Sequence, residues 1–158
     1  MSLTQPIGSD HQLARLLQIG IVLEEVVEAR AAKHAAASAS DEVLLEMLED
    51  ASAESADHRS RLEALVDDLD AETVPFEEIQ TLVEAQYESD KDFDGVLYDQ
   101  LCNEETAYKF YDDLIDSIEA SDTAFGIDRA RLLDVLRTIR DEEAAGVEEV
   151  TELMEARQ

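Results

Sequence analysis

In four long stretches of this chain the apolar residues recur alternately every three and every four positions, which restricts each stretch to an amphipathic helix packed in a bundle. The second, from about residue 41 to 70, is the least interrupted, running Leu44, Leu48, Ala51, Ser55, His58, Leu62, Leu65, Leu69. The first, about 12–37, carries Leu13, Leu16, Leu17, Gly20, Leu23, Val27 and Ala31. The third, about 92–120, carries Leu97, Leu101, Glu104, Ala107 or Tyr108, Tyr111, Leu114 and Ile118. The fourth, about 128–156, repeats the pattern with Leu132, Leu136, Ile139, Glu143, Gly146, Val150 and Leu153. With 5 glycines, 2 prolines, no tryptophan and 5% aromatics, the chain lacks the turns and flat side chains that sheets need.

The connections set the topology. Ser38 to Asp41 is short and ends in a capping residue, and the loop holding Gly126 is short as well, so each joins antiparallel neighbours. Residues 71–91 are long enough to return along the bundle, and Pro75, Phe76, Ile79, Leu82 and Val83 predict a short helix within them. The expectation is a single all-α domain over residues 1–158: two antiparallel helix pairs joined by a long crossover.

Charge bounds the partners. Forty acidic residues against 12 basic give a net charge of -28, spread through the apolar-periodic stretches rather than gathered in a tail. Self-repulsion on that scale is tolerable where molar salt shortens the Debye length to about 3 Å, so the surface predicts a halophilic protein. The basic residues are nine Arg and only three Lys (Lys33, Lys91, Lys109), a usage that resembles that of salt-accumulating cells. No clustered Lys or Arg is available for nucleic-acid phosphates. The longest apolar stretch, Ile19 to Leu23, is far shorter than the roughly 20 residues of a membrane span. One cysteine, Cys102, makes no internal disulfide, and with no signal-like start the reading is cytoplasmic. Cys102 and the tyrosines Tyr108 and Tyr111 are expected to be inert core residues. There is no glycine-rich phosphate loop, no cysteine pair and no serine with a base partner.

Four residues break the apolar stripes in a patterned way. Glu24, Glu104 and Glu143 each lie on an apolar face, and His58 lies in the cleanest stripe. Superposing the two halves places His58 on Gly146, Ser55 on Glu143 and Glu24 on Glu104, so the four share one level of the bundle. Buried carboxylates need a cation or a partner, and three of them with one imidazole suit iron or manganese. The plainer alternatives are carboxylates solvated at the bundle edge and a core histidine bonded to a neighbouring Glu.

This constellation resembles the ferritin-like and rubrerythrin-like di-iron proteins, whose pattern is one Glu from each of two helices and Glu-x-x-His from each of the other two. Glu24 and Glu104 match the single-Glu positions. Ser55-Ala56-Asp57-His58 matches the first Glu-x-x-His with Ser for Glu, and Glu143-Ala144-Ala145-Gly146 matches the second with Gly for His. The resemblance implies a ferritin-like bundle holding iron, or manganese, with iron oxidation or peroxide reduction as its chemistry, a homo-oligomeric assembly and an unidentified redox partner protein. Two of six ligands are missing, which favours a single-ion or incomplete site. Glu54 and Glu142 sit one residue from the vacated or retained positions, about 100° round the helix, and so read as poor substitutes; His34 is about 15 Å along the helix from Glu24. The alternative is a metal-free structural or interaction module descended from that fold, with Ser55 and Gly146 closing the former site.

Overall fold

The computed structural model describes residues 6–69, 71, 72, 77, 79, 81 and 95–158. Among these are four helices and no strand: α1 (Asp10–Ala37), α2 (Glu42–Asp68), α3 (Val96–Glu119) and α4 (Arg129–Ala156). Each occupies one of the four periodic stretches. Their starts are set by capping: Ser9 accepts from the Gln12 amide, Asp41 from that of Leu44 and Asp128 from that of Ala130. Gly95 precedes α3 with φ 107°, a conformation open to glycine and disfavoured for other residues. The expected start of the third helix at residue 92, and the crossover residues Pro75, Phe76, Leu82 and Val83, lie outside the described residues.

Cross-helix contacts give the helix directions. Glu28 pairs with Arg59 while Gly20 faces Leu62, so α1 and α2 run antiparallel. Arg30 pairs with Asp99 and Gly20 faces Phe110, so α3 also opposes α1. Asp41 with Arg157 and Asp68 with Arg131 set α4 against α2. It follows that α2 and α3 run the same way, and α3 begins at the end of the bundle opposite to where α2 stops. Packing is most extensive within the pairs α1/α2 and α3/α4, and sparsest between the neighbours α2 and α4.

The apolar interior is in two parts. A large cluster includes Leu13, Leu17, Leu62, Leu65, Leu114, Leu132, Leu136 and Ile139, and a smaller one at the other end joins Ala35, Leu44, Met47, Leu48 and Val150. Each fully buried leucine contributes about 1.5–3 kcal/mol. Along α2, α3 and α4 the two clusters are separated by buried polar residues: Ser55 and His58, then Asn103 and Glu104, then Glu143. Tyr111 is fully buried as expected, but Tyr108 is 38% exposed, and Cys102 is half-buried rather than enclosed. Ala107, not Tyr108, takes the core position of α3, and Tyr108, the next residue round the helix, turns to solvent. Among the described residues no helix is long and apolar enough to cross a membrane.

Candidate metal centre

The polar layer is built from one residue or pair on each helix. On α1, Glu24 follows Ile21 and precedes Val27 on the buried face, which leaves its carboxylate fully enclosed. On α2, His58 stands between Leu48 and Leu62 with no exposure. Glu104 on α3 and Glu143 on α4 are 6% and 3% exposed. All four residues singled out by their apolar stripes are therefore buried.

Glu24, His58 and Glu143 converge, each offering one ligand atom within 4.8 Å of the others. The His58 Nδ1 lies 3.3 Å from Glu24 Oε1 and 3.0 Å from Glu143 Oε1. Glu104 belongs to a second group with Glu143 and Glu54, whose ligand atoms also lie within 4.8 Å of one another. Glu143 is common to both.

Two residues read as poor substitutes, Glu54 and Glu142, also lie beside His58. Glu142 Oε2 meets His58 Nε2 at 2.6 Å, and Glu54 Oε1 lies 3.9 Å from the same nitrogen. The one-residue offset does place them at the flank of their helices, where their side chains are 33% and 40% exposed. Because α2 and α4 are neighbours, both flanks face one seam, and a three-carbon stem spans the remaining offset. The available signal was the four-residue spacing from Glu54 to His58, which aligns side chains on a helix. Gln100, four residues before Glu104, is a further residue the pattern did not reveal; its Nε2 donates to Glu104 Oε1 at 2.9 Å.

The two substituted positions behave differently. Ser55 is simply buried. At Gly146 a Cβ would lie 2.5 Å from Glu104 Oε2, so the Glu104 carboxylate fills the space that a longer side chain would occupy.

The electrostatics follow from burial. Desolvation alone would lower the His58 pKa, but hydrogen bonds and attraction from Glu143 and Glu24 outweigh it and raise it to about 11. With Nδ1 facing two carboxylates and Nε2 a third, the surroundings of His58 favour its charged form. Burial pushes Glu143 up to about 11 and also raises Glu104, and the hydrogen bond between them requires a shared proton. Glu54 rises to about 7, chiefly through burial, with the other carboxylates adding to the effect and His58 opposing it. Tyr111 Oη donates to Glu24 Oε1 at 2.6 Å, and burial beside that carboxylate keeps its pKa well above the usual phenol value.

One ligand oxygen is left over. Glu24 Oε2 is buried without a hydrogen-bond partner, as is Gln100 Oε1. A buried carboxylate oxygen with no partner is costly, and a cation in contact with it removes that cost. Carboxylate oxygens with a single imidazole are a donor set that a divalent cation can use.

Fold and site together define an all-α four-helix bundle with a buried carboxylate and histidine layer at its middle. In comparisons with known proteins, no family model, no curated protein and no solved structure matches the chain. The chemistry of the site is accordingly read from its own residues.

Proposed function

We propose that the protein is a ferritin-like, rubrerythrin-like divalent-metal protein that holds iron, or manganese, among Glu24, His58, Glu104 and Glu143. The observation that carries this reading is the partnerless Glu24 Oε2, enclosed within a group of carboxylates and one imidazole whose ligand atoms lie within 4.8 Å. Glu24, His58 and Glu143 would hold the ion, with Glu104, which groups with Glu143, completing the set. Bound iron would supply one-electron redox chemistry toward oxygen or peroxide. The chain's own residues prepare for it: Tyr111 orients Glu24, Gln100 orients Glu104, and the apolar clusters above and below limit access by water.

Elemental analysis of the chain purified in molar salt without chelator tests the proposal. About one iron or manganese per chain, lost in Glu24→Gln and in His58→Ala, supports it. No metal after anaerobic loading with iron(II) refutes it.

Two observations favour a second reading, a metal-free module. His58 already neutralises its neighbours, and Glu104 already fills the space over Gly146. In that case exhaustive chelation leaves the melting temperature unchanged and added iron(II) does not raise it.

A further inference from the structure

We propose that the ion enters through the seam between α2 and α4, where Glu54, Glu142 and His58 Nε2 form an outer cation position that is occupied before the buried one. The proposal deepens the metal reading above and rests on it.

These three residues each offer one ligand atom within 4.8 Å of the others. They differ from the inner group in exposure: the Glu54 and Glu142 side chains are 40% and 33% exposed, whereas Glu24 and His58 are fully enclosed. The imidazole joins the two groups. Its Nε2 faces the rim at Glu142 and its Nδ1 faces Glu24 and Glu143, so the ring, once it gives up a proton, can turn a free nitrogen to either position. Glu54 provides a second link, because it also groups with the buried Glu104 and Glu143. The outer group therefore shares His58 with the group that holds Glu24, and shares Glu54 with the group that holds Glu104 and Glu143.

The packing agrees with this direction of entry. The α2/α4 seam is the most sparsely packed between neighbouring helices, while Tyr111 and Glu24 tie α1 to α3 and Glu104 covers Gly146 between α3 and α4. A protein cation already sits at the rim: Arg61 reaches Glu142 at 3.4 Å and Asp57 at 2.7 Å. An entering divalent ion competes with that guanidinium for Glu142. The rim's donors are carboxylates and one imidazole, so the ligand class is a hard divalent cation.

Stopped-flow mixing of the metal-free protein with cobalt(II), at fixed ionic strength, tests the route, with ions per chain counted at equilibrium. The native chain should show a fast phase of weak binding followed by a slower, tight phase. In Glu54→Gln combined with Glu142→Gln, the fast phase should disappear and the tight phase slow by about tenfold or more, since the field that draws the ion is lost. Arg61→Gln should accelerate the first phase. Far-UV circular dichroism verifies that these half-exposed substitutions leave the helices intact. Native rates in the paired variant overturn the route, as does complete loss of tight binding there, which would make Glu54 and Glu142 ligands of the final site. If the native chain takes up cobalt(II) and Glu24→Gln does not, the metal reading stands regardless of the route. If the native chain takes up none, both fall.

Discussion

His58 supplies the positive charge of the buried layer, and its protonation decides how the layer behaves. Its folded pKa is raised to about 11 from the ordinary histidine value of 6.5, so the stability it contributes is fully present below pH 6.5 and is lost as pH rises toward 11. His58→Ala should lower the unfolding free energy of the metal-free protein by about 3 kcal/mol at pH 6, because buried carboxylates lose their counter-charge. Urea titrations at pH 6 and pH 10 check this, and the difference between native and variant should be smaller at pH 10. A divalent ion needs a deprotonated Nδ1 and displaces the proton shared by Glu104 and Glu143. Cobalt(II) affinity should therefore rise by about tenfold per pH unit for each proton released, measured by titration between pH 6 and 8. Asp99 behaves in the opposite sense. Burial would raise its pKa, but hydrogen bonds from Arg30 and His34 hold it below 3.8. Its contribution is present above pH 3.8 and lost as pH falls through the lower folded value. Asp99→Asn should cost about 2 kcal/mol at neutral pH, with the gap from native closing in acid, as read from urea midpoints.

At the scale of elements, the helices form where apolar spacing, capping residues and the scarcity of glycine agree. The start of α3 is the exception, since Gly95 offers no side-chain cap and instead supplies a positive φ of 107°. Gly95→Ala places a Cβ in a region that L-residues avoid and should destabilise the chain by about 1–3 kcal/mol, measured by urea unfolding. Among the described residues no atom lies within 4 Å of that Cβ position, so the loss would be conformational rather than steric. The sparse contact between α2 and α4 also belongs to this scale. Their flanks bring Glu54 and Glu142 to the same imidazole, although neither residue lies on an apolar stripe.

For the molecule as a whole, the net charge of -28 governs how stability responds to salt. Arginines are paired with acids across the helices, among them Arg59 with Glu28, Arg131 with Asp68 and Arg157 with Asp41, yet acids outnumber them and repulsion persists. The melting temperature should rise between low and molar KCl as screening shortens the Debye length from about 10 to about 3 Å. Equal melting temperatures would refute the halophilic reading.

What the sequence determined by itself was whatever depends on local period. A spacing of three and four residues dictates helices, the connection lengths dictate which are antiparallel neighbours, and the stripes single out Glu24, His58, Glu104 and Glu143 as polar residues on apolar faces, which the packing then buries. Tertiary structure alone decided the distances between helices. It brought Glu54 and Glu142 to His58, gave Gly146's space to the Glu104 carboxylate and left Glu24 Oε2 without a partner. Helical period assigns a residue to a face, whereas a side chain at the flank is placed by the separation and rotation of two helices, which no single helix encodes.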